Sequence, residues 1–500
     1  NSTDSIFIHD WVRQKTMKTL KRYCKLFYDL AKIYFSKATN KNIEYRRIIF
    51  YTLKDWGGVY IKFLQILAGT SKFLNGWGGP REMQVFAQAP QESLNVGQWV
   101  NIDAFNWISD TPVAAGSFAL VYRGRLQSGE DVAIKILRPS IRNNLNHDLK
   151  VLRRLCKILS HLLPRYLVDY NEAYEACARM FVLETDYTRE VANQNYFAQF
   201  YKNHPRVVIP KVFAELSNQN VIVQDFIEGP TLADIMSNRS HDVSAAALTK
   251  KLTGSNLWEQ ITLVGGEALY TAMCADYIYG DPHPGNIILL PDNRIALIDF
   301  GVISSKPASH WSFYEWVKSY YNILDNNGDF KTLLETTVAC FCPDLSIAMR
   351  RCNFKSGNLL AILSSAMEEK LNCEMSGNVS YVETFKNGHL LDVFLKVVST
   401  KVIDVKIDMV NFELLKAMQA FLGSITILDN AEGNHDFSQL LYQSMQYAIN
   451  RSRNIGIPND VVNSSHYSMT DSYELLVQTI SNLANNDEFM FNLVKERIFA

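Results

Sequence analysis

Two short strings restrict this chain more than anything else in it. The first is Tyr279-Gly280-Asp281-Pro282-His283-Pro284-Gly285-Asn286, and Asp299-Phe300-Gly301 begins thirteen residues after Asn286. Between them, residues 287–290 and 295–298 are apolar runs joined by Pro291-Asp292-Asn293-Arg294, which reads as a tight hairpin. A hairpin there returns the chain so that Asp299 can face Asn286. Phosphoryl transfer requires a carboxylate near the nucleophile and oxygen ligands for Mg²⁺. Asp281, five residues before Asn286, supplies the first, and Asn286 with Asp299 supplies the second. A lone Asp-Phe-Gly is weak. Both strings in order, with strand, turn and strand between them, form a specific signal.

The upstream sequence supplies the other parts that such chemistry uses. Val132-Ala133-Ile134-Lys135 ends a predicted strand. A Lys so placed can hold the α and β phosphates of ATP when a helical Glu fixes its amine. Glu190 and Glu184 are the candidate partners. Glu190 follows Lys135 by 55 residues, an interval that requires an insertion. Before the Lys runs Ala114-Ala115-Gly116-Ser117-Phe118-Ala119-Leu120-Val121-Tyr122, with one glycine where phosphate loops carry three. Glycines let backbone N–H groups approach phosphates closely. Alanines there imply a nucleotide held in another way.

The order of elements fits a two-lobed α+β fold. Residues 10–39 and 44–75 read as helices, the second interrupted at Gly57-Gly58. Strands follow around Val113–Tyr122 and Val132–Ile136, with a turn at Ser128-Gly129. A long helical stretch covers 144–204, broken at Pro164. Residues 209–215 and 221–226 read as a second hairpin, 245–279 as helix, and everything after about Trp311 as helix. The implied organisation is an N-terminal helical extension over 1–99, a small lobe with inserted helices over 100–229 and a mostly helical lobe over 230–500. Residues 224–227 fit the hinge between the lobes.

Composition removes several classes. Of 500 residues, 47% are apolar and 20% charged, which requires a packed core and excludes general disorder. The net charge of −1 argues against nucleic-acid binding. That total hides an asymmetry: residues 1–55 carry twelve Lys/Arg against five Asp/Glu. Within them, Lys15, Lys18, Lys21, Arg22, Lys25 and Lys32 share the 10–39 helix with an apolar series from Leu20 to Tyr34. Such a helix suits an anionic membrane surface, or else packs on its own domain. No stretch of 18 apolar residues exists to span a bilayer. The eight cysteines include no CxxC pair and read as reduced thiols. The chain begins at Asn1 rather than Met, which fits a processed or trimmed form.

The departures from an ordinary kinase resemble one family, the UbiB-type (AarF, also called ADCK) atypical kinases. The likeness runs over residues 55–303, half the chain. It is carried by the alanine-rich loop, the segment around Lys135, residues 183–193, Asp281-Pro-His-Pro-Gly-Asn286 and Asp299-Phe300-Gly301. The family's Lys-x-Gly-Gln signature is matched by Lys62 and Gln65, with Leu64 in place of its glycine. Its Glu-x-Asp motif is matched by Glu184 and Asp186. Gly116 stands where the family usually has a third alanine, and no Ala-Pro-Glu follows Asp299-Phe300-Gly301.

The resemblance implies a membrane-associated, Mg²⁺- and ATP-dependent kinase or ATPase that supports ubiquinone or related isoprenoid-lipid metabolism. By it, Asp281 is the catalytic carboxylate, Asn286 and Asp299 bind Mg²⁺, and Lys135 holds phosphates while Glu190 holds Lys135. Ala114, Ala115, Gly116, Ser117 and Phe118 line the triphosphate. Lys62 and Gln65 gate the site and meet Glu184 and Asp186 near the nucleotide. His283, between two prolines, braces the catalytic loop. Implied partners are an anionic membrane and quinone or isoprenoid lipids or their biosynthetic enzymes, and a homodimer is left open. The implied location is the matrix side of the mitochondrial inner membrane or the bacterial cytoplasmic membrane face. Two other readings stay open: a nucleotide-sensing, non-catalytic scaffold for lipid-biosynthetic enzymes, and a small-molecule phosphotransferase of the aminoglycoside-kinase type. Helix geometry adds one constraint. Asp186 and Glu190 share a helical face, whereas Glu184 lies about 200° from Asp186. The helix must therefore bend there, or the carboxylates serve different partners.

Overall fold

The computed structural model describes residues 94–116, 118–162, 181–238 without 183, 244–279, 282–305, 309–374 without 326, 437–457 and 488–499. It also describes Tyr28, Val59, Tyr60, Phe63, Tyr174, Glu175, Ala178, Phe421, Leu476, Val477, Ile480, Ser481 and Ala484. The predicted helix over 10–39 and most of that over 44–75 lie outside these residues. The fold is the two-lobed, kinase-like α+β type, and the chain divides into two compact units. The first holds residues up to Tyr196 and Pro210–Phe226, and the second holds Phe197–Ile209 and everything from Ile227.

The first unit is built on an antiparallel sheet. Its strands are β1 (Phe105–Ile108), β2 (Ala114–Ala115), β3 (Ala119–Leu126) and β4 (Asp131–Leu137). Helices α1 (Pro139–Leu162) and α2 (Tyr187–Phe200) follow, and the last turn of α2 belongs to the second unit. A two-residue strand of the second unit, β5 (Val207–Val208), precedes β6 (Val221–Asp225), which completes the sheet in the order β1-β3-β4-β6, with β2 also on β3. Side chains alternate across a strand. Val132, Ile134 and Ile136 of β4 are fully buried, in one cluster with Leu120, Tyr122, Val221 and Val223. Asp131, Ala133 and Lys135 therefore point to the other face.

The second hairpin foreseen over 209–226 forms only irregularly: residues 221–225 are a strand, and the partner segment meets it through two isolated antiparallel bridges, Val212 to Gln224 and Asn218 to Val221, with a 3₁₀ turn at Ala214–Leu216 between them. Just before this segment, β5 pairs in parallel with Ile295–Leu297 of the second unit. Pro210 interrupts the segment, and proline cannot donate to a ladder.

In the second unit, α3 (Leu232–Asn238) and α4 (Ala245–Thr253) precede the long α5 (Leu257–Cys274). The stretch read as one helix over 245–279 is thus broken. Gly254 closes α4 in the left-handed region at φ +73°, and Asn256 caps α5 with its side chain. The last residues extend as β7 (Tyr277–Tyr279). Next come β8 (Ile287–Leu289), β9 (Ile295–Leu297) and β10 (Ile303–Ser305). Asp292 and Asn293 hold the β8–β9 turn with φ of 60° and 55°, a conformation that Asp and Asn tolerate best after glycine. Beyond lie α6 (His310–Leu324), α7 (Phe330–Phe341) and α8 (Pro343–Arg351). A small hairpin, β11 (Asn353–Phe354) with β12 (Gly357–Asn358), interrupts the expected all-helical end before α9 (Leu359–Glu374), α10 (Phe437–Ile455) and α11 (Glu488–Phe499).

Helix α10 packs on α5 through a buried charge node. Glu267 of α5, 2% exposed, accepts from Tyr447 Oη at 2.6 Å and from Arg451 Nη1 at 3.0 Å. His204 Nε2 lies 3.3 Å from the same oxygen. His204 Nδ1 accepts from the backbone N–H of Arg206 and Val207, so the ring donates through Nε2. Beside the node, a Cβ on Gly266 would fall 2.4 Å from Tyr447 Cδ1. Gly266→Ala is expected to push α10 away from α5 and destabilise the fold by about 1–3 kcal/mol, read as a lower urea midpoint. An unchanged midpoint would show that α10 yields without cost.

Candidate active site

The first unit supplies an amine held by a carboxylate. Lys135 sits on the middle strand β4, between Val121 of β3 and Ile222 of β6. Its Nζ lies 2.5 Å from Glu190 Oε1. Glu190 is 3% exposed and Lys135 13%, and the Tyr187 ring lies 5.4 Å from the amine. The pair is thus largely removed from water, where charges interact strongly only when paired.

The start of α2 explains how Glu190 is aimed. Phe181, Val182 and Glu184 are helical, and the turn closes with Thr185 N–H on the Phe181 carbonyl. The chain then leaves the helix at Asp186, which caps α2. Asp186 Oδ1 accepts from the Thr188 hydroxyl at 2.5 Å and from the N–H groups of Thr188 and Arg189. The sequence required a bend or a division of labour between Glu184 and Asp186, and the structure shows the bend. Glu184 ends one helical segment, Asp186 starts the next, and Glu190 falls in the first turn, where the helix dipole favours a negative charge.

The alanine-rich loop is a tight hairpin. Ala114 pairs with Val121 and Ala115 with Leu120, and Gly116 N–H donates to the Ala119 carbonyl at 2.9 Å. Ala114, Ala115 and Gly116 are exposed, while Phe118 is buried with its ring 5.0 Å from that of Phe181. Ser117 lies outside the described residues. So do Lys62 and Gln65, although their neighbours Val59, Tyr60 and Phe63 are all buried.

The second unit holds the segments that the sequence reading assigned to the catalytic loop and the metal. Two ladders frame them. On one side β7 pairs with β10, Tyr279 opposite Ile303. On the other β8 pairs with β9, Ile287 opposite Leu297, and Ile298 N–H donates to the Asn286 carbonyl at 3.1 Å. Residues 282–286 and 298–302 adjoin these ladders. Asp281 lies outside the described residues. Asn286 and Asp299 flank the open end of the hairpin. Helix α5 and Ser255 just before it hold its turn: Gln260 donates to the carbonyls of Leu290 and Arg294, and Ser255 to that of Leu290.

Each metal-ligand candidate has a local anchor. His283 Nδ1 accepts from Gly285 N–H at 3.1 Å and His283 O from Asn286 N–H at 2.8 Å, so the His closes the turn that presents Asn286. Asp299 Oδ1 accepts from Gly301 N–H at 3.0 Å. Phe300 is fully buried, stacked on Phe197 at 5.4 Å and beside Tyr279 at 5.7 Å. An amide oxygen and a carboxylate are the hard donors that Mg²⁺ selects, so Asn286 and Asp299 fit that ion.

Sequence reasoning missed Arg138, which is buried and bonded to the loop, and the Glu267 node with its His204 and Arg451 partners. A charged residue directly before Pro139 was the signal for the first. The second carried none, since its members lie 63 to 184 residues from Glu267 in the chain.

Glu190→Gln leaves the Lys135 amine facing a neutral amide and is expected to cost about 3 kcal/mol or more, with Glu190→Asp losing less. Urea unfolding measures both, and equal midpoints for wild type and Glu190→Gln would dismiss the pair as a stabilising element. The Asp186 carboxyl is held below the usual range, first by the Thr188 hydroxyl and then by the N–H groups of Arg189 and Thr188. Its unfolded value is about 3.9, so its stabilisation is present above that pH and is lost as pH falls through the lower native value. Asp186→Asn keeps the cap and should flatten that part of the stability profile below about pH 4, measured by thermal melts.

A family model, the ABC1 atypical kinase-like domain, matches residues 94–327. The chloroplastic Activity of bc1 complex kinase 3 of Arabidopsis thaliana is 27% identical over 204 residues, 41% of this chain and 27% of that protein. AarF domain-containing protein kinase 1 of Gallus gallus is 27% identical over 259 residues, 49% of this chain and 47% of that protein. The matches thus span from a quarter to a half of these relatives' length. Among solved structures, the complex of Rv3197 with erythromycin from Mycobacterium tuberculosis covers 82% of this chain and 95% of that one, at 22% identity and a TM-score of 0.43.

Proposed function

Because residues 94–327 belong to the ABC1 atypical kinase-like family of AarF-domain (UbiB/ADCK) proteins, we propose that this chain binds ATP with Mg²⁺ and transfers or hydrolyses its γ-phosphoryl group. The observation that carries the reading is the buried Lys135–Glu190 pair, since a lysine fixed in this way is the part of a kinase site that holds the α and β phosphates. Ala114–Phe118 would border the triphosphate. Asn286 and Asp299 would hold the metal. When bound, Mg²⁺ neutralises charge on the phosphate oxygens. Asp281 would accept the proton of the attacking hydroxyl or water, and Lys62 with Gln65 would gate the site.

The place of action in this proposal is an anionic membrane surface, and the role is support of ubiquinone or related isoprenoid-lipid metabolism. Its partners would be a quinone or isoprenoid lipid or the enzymes that make it. The support is the +7 charge of residues 1–55, together with the chloroplastic kinase among the relatives. No helix among the described residues is long and apolar enough to cross a membrane.

The test is ATP turnover by the purified chain, with and without anionic liposomes and a phenolic quinone-precursor mimic. Turnover is expected to rise with liposomes, and Asp299→Asn should lower it by about a hundredfold or more. ATP binding without turnover under any condition would replace the enzyme by a nucleotide-sensing scaffold. Undiminished turnover in Asp299→Asn would remove Asp299 from the metal site.

A further inference from the structure

Arg138 stands three residues after Lys135 and one residue beyond β4, and it is 3% exposed. Nothing in the sequence motifs gives it a task. In the fold it makes two bonds to the alanine-rich loop. Its Nε donates to the Gly116 carbonyl at 3.0 Å, and its backbone N–H donates to the Phe118 carbonyl at 2.8 Å. The two carbonyls belong to the described residues on either side of Ser117 in the sequence. Its own carbonyl accepts from the N–H groups of Ile141 and Arg142, at the start of α1. One residue thus joins the loop tip, the end of the lysine strand and the first turn of a helix.

The loop does not take its shape from glycine freedom. Gly116 is absent from the positive-φ residues, and a Cβ there would meet only the Ala119 carbonyl, at 3.9 Å. Its N–H is committed to Ala119. The conformation is instead imposed by the β2–β3 pairing, by Phe118 against Phe181, and by the Arg138 bonds. A guanidinium suits this task, because its planar fork is permanently charged and loses little freedom per bond.

We propose that Arg138 is a positioning residue that ties the tip of the alanine-rich loop to the strand of Lys135, so that the two phosphate-facing elements keep one fixed spacing. The proposal rests on the nucleotide-binding reading above. A loop pinned at its tip replaces the flexing of a glycine-rich loop with a preformed border, and Arg138 sets where that border lies. Its effect falls on the phosphates and spares the nucleoside.

The experiment compares full-length wild type, Arg138→Gln and Arg138→Lys. ATP and adenosine affinities are measured by calorimetry, and exchange of the Gly116 amide is followed in the nucleotide-free protein. Arg138→Gln should weaken ATP binding about tenfold, the scale of one charged hydrogen bond, and leave adenosine binding within about twofold. The Gly116 amide should exchange about tenfold faster, with Arg138→Lys between the two. Equal losses for ATP and adenosine, or unchanged exchange at Gly116, would overturn the proposal. Failure of the wild type to bind ATP would remove the nucleotide reading, while the exchange result would still decide whether Arg138 tethers the loop. Should the glutamine variant not fold, Arg138→Lys is read by the same two measurements.

Discussion

A lysine in the middle of a sheet and a glutamate 55 residues later meet at 2.5 Å, and much of the first unit is arranged around that contact. Neither charge could be left alone in so dry a place, since an uncompensated buried ion costs several kcal/mol. The lysine must therefore leave the sheet on the face opposite the apolar cluster, which the alternation of β4 achieves. The glutamate must arrive on a helix whose start is fixed, which the Asp186 cap achieves. Both halves of the pair thus depend on ordinary secondary-structure devices placed beside it.

The second unit answers a different constraint. Its metal-ligand candidates adjoin short ladders, and such segments are weak by themselves. Here they are held from below. Phe300 is buried among Phe197 and Tyr279, and Gln260 of α5 and Ser255 just before it grip the β8–β9 turn. Helix α5 is itself fixed to α10 by the Glu267 node. The support extends to residues 437–455, well beyond the 94–327 that match the family domain.

Several of these features were legible in the sequence. The β8–β9 hairpin was announced by its Asp292-Asn293 turn, and the face of Lys135 by the pattern of Val132, Ile134 and Ile136. The angle between Glu184 and Asp186 demanded a break or separate partners. Other readings failed where local geometry intervened. The hairpin over 209–226 is reduced to two isolated bridges, Val212 to Gln224 and Asn218 to Val221, because Pro210 cannot donate to a ladder and Ala214–Leu216 turns as 3₁₀. Residues 245–279 kept helical periodicity through a left-handed glycine that periodicity does not register.

The sequence by itself determined the inventory of residues and its order: a lysine strand, an acidic helix start, the Asp281–Asn286 string and the Asp299-Phe300-Gly301 string. It did so because those patterns are local, written in the spacing of neighbouring residues. Only the tertiary structure decided that Arg138 grips the loop tip, that Asp186 caps rather than shares a face with Glu190, and that Glu267 is answered by Tyr447 and Arg451. Those choices depend on which distant groups can satisfy a buried charge or carbonyl once the chain is packed. Spacing along the chain holds no record of that.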